Sequence, residues 1–120
     1  MTEQEIQDRQ QVLVRQLKQS NIITSPAIEQ AFLSVPRYLF IPGYDLDEVY
    51  RPEKAIVFRQ NEQGVPTSSC SAPDVMAIML EMLDLQPGQT VMEIGAAHGY
   101  NAALIGAVDG PQGGAVTIEL

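Results

Sequence analysis

The stretch VMEIGAAHGY, residues 91–100, decides how the rest of the chain is interpreted. A short apolar run ends in an acid, Glu93, and two glycines follow, Gly95 and Gly99. This order predicts a buried strand, a tight turn and the start of a helix. Glycine lets a backbone approach a ligand closely, and a helix N-terminus offers unpaired N–H groups with partial positive charge. The stretch is therefore either a binding turn or a closely packed corner.

Helix and strand signals alternate on both sides of this turn. The sequence from Ser71 to Asp74 is a helix-start signal, with Ser71 as a good N-cap. Buried strands are predicted over 90–94 and 115–119, with a helix between them that begins at Gly99. Because strands that alternate with helices favour parallel pairing and right-handed crossovers, residues 55–120 are predicted to form a partial α/β domain.

The amino-terminal half, residues 1–54, predicts a helical cap over that domain. Thr2 and Glu5 fit a capping box, in which each side chain accepts from the other's backbone N–H. Ser25 and Pro26 fit the N-cap and first position of a second helix. The remaining expectations are a first helix over about 3–19, an end to the second helix at Pro36, an irregular segment over 37–52, and extended pieces at 55–58 and 65–71.

Composition and charge limit the classes of function. The chain has 120 residues, of which 45% are hydrophobic and 18% charged, as in one ordinary globular domain. The formal charge of -8 argues against nucleic-acid binding and weakly against anionic membranes. No apolar run approaches the roughly 20 residues that span a bilayer, and the first ten residues lack signal-peptide features. The lone Cys70 excludes an internal disulfide and a cysteine-based zinc cluster, so we expect a cytoplasmic protein without a metal.

The spacing of the glycines bears on the kind of ligand. A dinucleotide turn reads G-x-G-x-x-G, whereas Gly95 and Gly99 have the spacing G-x-x-x-G. Glu93, two residues before Gly95, would be an odd neighbour for a pyrophosphate but would suit an ammonium group. These features disfavour a dinucleotide-dependent oxidoreductase. S-adenosylmethionine carries an ammonium, and Glu119, at the end of the next strand, is placed to accept hydrogen bonds from ribose hydroxyls.

A family resemblance rests on these same motifs. VMEIGAAHGYNAALIG (91–106) resembles the first motif of S-adenosylmethionine-dependent methyltransferases, and VTIEL (116–120) resembles the acidic strand end that follows it. The chain most closely resembles the protein-L-isoaspartate O-methyltransferase family, through SVPRYLFIP (34–42), SSCSAP (68–73), LDLQPGQTVMEIG (83–95) and GYNAAL (99–104). The resemblance covers about residues 30–120. It implies an α/β protein, with an N-terminal helical cap plus the first β-α-β unit of a Rossmann-like methyltransferase fold, in an incomplete sheet.

The resemblance also implies ligands and residue roles. The cofactor would be S-adenosylmethionine, and the acceptor an isoaspartyl or other carboxylate on a peptide or protein. Ser71 matches the serine near the methyl-accepting carboxylate and is the candidate catalytic residue. The candidate cofactor-binding residues are Ser69, Glu93, Gly95, Ala96, Ala97, Gly99, Tyr100 and Glu119. Two positions depart from the family pattern, because Ala97 replaces the middle glycine and His98 replaces a small polar residue.

Several side chains have simpler explanations. Ser71 can serve as an N-cap, with or without a catalytic role. His98 is either a catalytic base or a tolerated loop residue, and Tyr100 packs either over the cofactor or under the loop. Cys70 is interpreted as a small apolar filler rather than a nucleophile. Met76, Met79 and Met82 recur at helical spacing and are interpreted as core packing.

The limited extent of the resemblance leads to an expectation about activity. A complete methyltransferase of this type has a larger sheet, so we expect a truncated form with weak or no activity alone. Unpaired strand edges invite association, which predicts a homo-oligomer. The alternative is a non-catalytic, oligomerising interaction module derived from the same half-fold.

Overall fold

The computed structural model describes residues 2–95 and 97–118. Its elements are α1 (Glu3–Gln19), α2 (Pro26–Ser34), α3 (Arg37–Phe40), α4 (Leu46–Val49), β1 (Ile56–Gln60), β2 (Pro66–Cys70), α5 (Pro73–Met82), β3 (Thr90–Ile94), α6 (Tyr100–Asp109) and β4 (Gly114–Ile118). The order confirms the predicted N-terminal helices and the predicted β-α-β unit. Within the described residues, no helix combines the length and apolar character needed to cross a bilayer.

The first two helices begin as predicted, but they are capped differently. In α1, Thr2 Oγ1 accepts from the Glu5 N–H at 3.1 Å and Glu5 Oε2 accepts from the Thr2 N–H at 3.3 Å, which confirms the capping box. Ser25 makes no side-chain cap to α2. Its hydroxyl donates to Glu81 of α5 instead, and Glu81 also accepts from the Ser25 N–H at 2.8 Å. The charge-assisted bond to the carboxylate holds the hydroxyl toward α5, and its oxygen does not accept from the first N–H groups of α2.

The segment between α2 and β1 was predicted to be irregular, and this prediction is wrong. Residues 37–52 contain two short helices, α3 and α4. Asp45 caps α4, because its Oδ1 accepts from the Asp47 N–H at 2.8 Å. A single helical turn is too short to produce an apolar periodicity, which is why the pattern did not indicate it.

The strands form two separate pairs among the described residues. β1 and β2 are antiparallel, whereas β3 and β4 are parallel, as predicted, and α6 connects them. The prediction that β3 and β4 are buried strands is wrong for one of their faces. Val91 and Ala115 pack against the core, whereas Met92 and Ile94 are 65% and 79% exposed. The strands expose that face because α6 packs on them from one side only.

One hydrophobic core joins the two predicted segments. It contains Leu13, Phe32 and Ile41 from residues 1–54, and Leu104 and Ile105 from the segment that follows. The boundary between residues 54 and 55 stays a prediction. The shared core means that the amino-terminal helices support the β-α-β unit directly.

Helix α5 differs from the prediction in two respects. Its N-cap is Ala72 rather than Ser71, and no side chain caps the helix. The Asp74 N–H near the helix start already donates to the Pro52 carbonyl at 2.9 Å, so it does not need a capping side chain. Met76 is buried as predicted, but Met79 and Met82 are 48% and 81% exposed, so their assignment to the core is wrong. Both sides of α5 are apolar, and the side that includes Met76 is the one that meets the core.

Candidate functional site

The turn between β3 and α6 has an unusual backbone. Gly95, Ala97 and Gly99 all adopt positive φ, at 86°, 52° and 87°. Glycine tolerates this conformation, whereas a residue with a Cβ pays about 1–2 kcal/mol for it. Gly99 is also the N-cap of α6 and has no side chain to cover the first N–H groups of the helix. The turn therefore keeps a glycine-type shape at Ala97 at a cost in stability.

A cavity of about 290 Å³ lies at the end of β3 beside this turn. Its lining combines β2, α5 and α6 with the turn, through Ser69, Cys70, Ser71, Met76, Met79, Glu93, Ile94, Gly95, Ala97, His98, Tyr100 and Asn101. The structure thus brings six of the predicted site residues together. Gly99 belongs to the turn but not to the lining, and the predicted residues Ala96 and Glu119 lie outside the described residues.

Glu93 and Asn101 form the polar centre of this cavity. Asn101 Nδ2 donates to Glu93 Oε2 at 2.6 Å. Among the described residues, Glu93 Oε1 and Asn101 Oδ1 are both buried and have no hydrogen-bond partner. Each buried acceptor without a donor costs about 1–3 kcal/mol. Two such acceptors in one cavity fit a ligand group that donates several hydrogen bonds and carries positive charge.

Asn101 is not among the site residues predicted from the sequence. Its amide nitrogen and the Glu93 carboxylate meet across the turn, because β3 ends and α6 begins at the same edge of the cavity. The available signal was a polar side chain in the first turn of a helix that is otherwise apolar and small.

Arg37 lies behind the cavity and is fully buried. Its Nη2 donates to the Ser71 carbonyl at 3.0 Å, and its Nε donates to the Val49 carbonyl at 2.8 Å. The guanidinium carbon is 5.2 Å from the centroid of the Tyr100 ring. These partners are neutral, so carbonyl dipoles and the face of an aromatic ring stabilise the buried cation. Arg37 thereby fixes the backbone of Ser71 and the ring of Tyr100, although it is not among the site residues predicted from the sequence.

Tyr100 and Cys70 are neutral groups at the back of the cavity. Tyr100 is 2% exposed, and its ring also contacts Phe32 and Phe40. Burial raises the pKa of the Tyr100 hydroxyl well above its ordinary value. Burial also raises the pKa of the Cys70 thiol, although the nearby Arg37 charge partly opposes this shift. A reactive cysteine needs a lowered pKa, so Cys70 behaves as the small apolar filler that was predicted.

His98 is exposed at the rim of the cavity. Its ring centroid lies 4.0 Å from that of Phe58 on β1, with an angle of 54° between the rings. This contact ties the turn to the β1–β2 pair. Among the described residues, no group of three or more His, Cys, Asp and Glu side chains could hold a metal ion.

A parallel β-α-β unit with a glycine turn between strand and helix defines a Rossmann-like α/β protein. A solved protein-L-isoaspartate O-methyltransferase superposes with a TM-score of 0.77 and 34% identity, over 92% of this chain and 33% of that one. A putative enzyme of this name from Plasmodium falciparum, solved in complex with S-adenosyl-L-homocysteine, has a TM-score of 0.72. The two sequences are 20% identical over 90% of this chain and 47% of the Plasmodium falciparum chain. This similarity supports the fold.

The family follows from a match to residues 8–120: the chain belongs to the protein-L-isoaspartate(D-aspartate) O-methyltransferase (PCMT) family. A relative from Pyrococcus horikoshii is 38% identical over 108 residues, which are 88% of this chain and 44% of the relative. A relative from Methanothermobacter thermautotrophicus is 37% identical over 112 residues, which are 93% of this chain and 48% of the relative. Both are protein-L-isoaspartate O-methyltransferases. The comparisons confirm the predicted family and fold, and the chain spans less than half the length of these relatives.

Proposed function

We propose that this chain carries part of the S-adenosylmethionine site of a protein carboxyl methyltransferase. One observation supports the proposal above the others. Glu93 Oε1 and Asn101 Oδ1 are buried, unpaired acceptors in a cavity that also contains the glycine turn. The ammonium group of S-adenosylmethionine has three N–H donors and a positive charge, which matches both acceptors. Bonds of this kind, between charged partners, are the strong ones.

The remaining cofactor contacts are assigned by position. In the proposal, the backbone of Gly95 and Gly99 approaches the ligand, and the open N-terminus of α6 faces its carboxylate. Tyr100 forms the back wall of the cavity, and Ala96 is proposed as a further cofactor-binding residue. Glu119 would hold the ribose. The Plasmodium falciparum protein was solved with S-adenosyl-L-homocysteine, which supports this class of ligand.

The proposed acceptor is an isoaspartyl or similar carboxylate on a peptide or protein. Bound S-adenosylmethionine supplies an activated methyl group, and a carboxylate is already ionised at neutral pH, so the chain needs no general base. Ser69 and Ser71 line the cavity, and in the proposal their hydroxyls donate to the acceptor. Arg37 fixes the backbone of Ser71, so Ser71 would be held in place from behind.

The proposal includes weak or absent turnover by this chain alone. Ile94 at the cavity wall is 79% exposed, so water enters freely on that side. Methyl transfer depends on alignment of the two reactants and on exclusion of water, and an open wall provides neither. We also propose a cytoplasmic location, which rests on the lone cysteine.

Calorimetry with matched ligands tests the proposal. S-adenosylhomocysteine has the ammonium group, whereas methylthioadenosine keeps the adenosine and thioether but lacks the amino-acid part. We expect saturable binding of the first and at least tenfold weaker binding of the second. Equal affinity for the two ligands would contradict the ammonium site. A Kd of about 1 mM corresponds to a binding free energy of only about 4 kcal/mol. If neither ligand binds at about 1 mM, the proposal that the cofactor site is retained is overturned. Binding of NAD in preference to both would favour a dinucleotide enzyme.

A further inference from the structure

Arg37 is a buried cation without a charged partner. It is fully buried, and among the described residues it forms no ion pair with a carboxylate. Its hydrogen bonds to oxygen go to the carbonyl groups of Val49 and Ser71. Such dipoles satisfy N–H groups but leave the net charge of the guanidinium in place. Because Arg37 has no open surface, a carboxylate from outside the described residues has nothing of it to contact.

The charge of Arg37 lies directly behind the wall of the cavity. Its Nη2 donates to the Ser71 carbonyl at 3.0 Å, and its Nη1 donates to the sulfur of Met76 at 3.5 Å. The guanidinium carbon lies 5.2 Å from the centroid of the Tyr100 ring. All three of these neighbours line the cavity, so one layer of residues separates the charge from its interior.

Two groups in the cavity wall already respond to this charge. Burial raises the pKa of the Cys70 thiol and that of the Tyr100 hydroxyl, and in both cases the positive charge of Arg37 opposes the rise. A charge that acts in this direction favours the anionic form of a neighbouring group. An anion inside the cavity would gain from the same attraction, whereas a neutral group of the same shape would not.

The cavity is therefore charged differently at two of its walls. The Glu93 carboxylate lines it at the end of β3, where the ammonium group is proposed to bind. Arg37 supplies positive charge behind Ser71 and Met76, at the start of α5. A methyl acceptor beside Ser71 meets the positive wall, and a carboxylate suits that wall better than a hydroxyl or an amide does.

We propose that Arg37 makes this site select an anionic methyl acceptor. Arg37 does not touch the acceptor, so it is a positioning residue that acts through its charge and through the backbone of Ser71. The inference rests on the proposed function, because it requires a methyl acceptor in this cavity. A local cation matters here because the formal charge of -8 repels an anionic peptide at a distance.

Two peptides that differ only in charge test this role. One contains an isoaspartyl residue with its free carboxylate, and the other carries a primary amide in place of that carboxylate. Each is titrated calorimetrically into the chain in the presence of S-adenosylhomocysteine. We expect the wild type to bind the carboxylate peptide at least about tenfold more tightly than the amide peptide. The ratio of the two affinities cancels any general loosening of the cavity, which a purely structural role of Arg37 would produce.

Substitutions at Arg37 separate its charge from its hydrogen bonds. Arg37→Gln removes the charge but keeps an N–H donor for the carbonyl groups, so the two peptides should then bind within about twofold of each other. Arg37→Lys keeps the charge and should retain most of the preference. Arg15→Gln is the matched control, because Arg15 is exposed on α1 and its loss changes the net charge equally. Circular dichroism melts show whether both Arg37 variants fold.

The ionic strength provides a readout that needs no variant. Added salt screens the repulsion from the acidic surface more than it screens a buried charge, so the carboxylate peptide should bind more tightly and keep its preference. A preference that disappears at high salt would place the attraction at the surface and overturn the proposal. Equal binding of the two peptides by the wild type, no binding of either, or an unchanged ratio in folded Arg37→Gln would also overturn it. Calorimetry with S-adenosylhomocysteine alone decides the cofactor site separately, so the two proposals can fail independently.

Discussion

Substitution of Glu93 by glutamine is expected to change stability and ligand affinity in opposite directions. In Glu93→Gln the side-chain amide oxygen can still accept from Asn101 Nδ2, while a nitrogen replaces the buried, unpaired Oε1. An unsatisfied buried acceptor costs about 1–3 kcal/mol, more when it is charged. Because a neutral amide costs less to bury than a carboxylate, the free energy of unfolding should rise by about 1 kcal/mol and Tm by about 4 °C.

The same substitution removes the negative charge proposed to hold an ammonium group. Hydrogen bonds to charged groups contribute about 1.5–3 kcal/mol. The affinity for S-adenosylhomocysteine should therefore fall by about 10- to 150-fold. A residue with a purely structural role would give the opposite result for stability and no separate effect on the ligand.

Thermal melts of the free chain and calorimetry with S-adenosylhomocysteine measure the two quantities separately. Glu62→Gln is the control, because Glu62 is exposed in the turn between β1 and β2 and its removal changes the net charge equally. The control should leave both quantities unchanged. The reasoning fails if Glu93→Gln lowers Tm, or if it leaves the affinity within twofold of the wild type.

Three further substitutions follow from the structure. Both carboxylate oxygens of Asp109 are buried and lack hydrogen-bond partners among the described residues. Burial raises the pKa of this carboxyl above its ordinary 3.8, so the native state binds a proton more tightly than the unfolded state. The protonated carboxyl stabilises the fold at low pH, and this stability is lost as pH rises through the folded pKa. Urea unfolding at neutral pH should therefore show a higher free energy of unfolding for Asp109→Asn than for the wild type. The difference between the two free energies should close toward pH 3.8. Ala97→Gly should raise the free energy of unfolding by about 0.5–1 kcal/mol, because it removes a Cβ from a positive-φ position; equal stability in urea would mean that the turn is unstrained. Ser71→Ala should change stability by less than about 0.5 kcal/mol, because Ser71 does not cap α5, whereas a loss near 1 kcal/mol would restore the capping role.

The elements that could be predicted from the sequence are those set by neighbouring residues. The capping box of α1 needs only Thr2 and Glu5, and β3, the turn and α6 follow one another without interruption. The parallel pairing of β3 with β4 follows from the helix between them. The cavity then gathers the predicted residues because three of these elements end at the same edge.

The features that escaped prediction depend on partners far along the chain. Ser25 loses its capping role to Glu81, and Ser71 loses its own because the Pro52 carbonyl already accepts from Asp74. Helix α5 is apolar on two sides, so periodicity alone could not tell which side meets the core. No sequence motif indicates a role for Asn101, which becomes visible only through the hydrogen bond from its amide nitrogen to the Glu93 carboxylate.

The buried Arg37 limits which substitutions this chain can accept during evolution. One guanidinium touches the end of α4 at Val49, the entrance to α5 at Ser71, the sulfur of Met76 and the ring of Tyr100. Met76 and Tyr100 contact the cation with their side chains, so a substitution at either leaves it poorly stabilised and is tolerated only together with a second change. Positions 37, 76 and 100 should therefore vary jointly among relatives, and the amino-terminal helices should be inherited with the cavity as one unit.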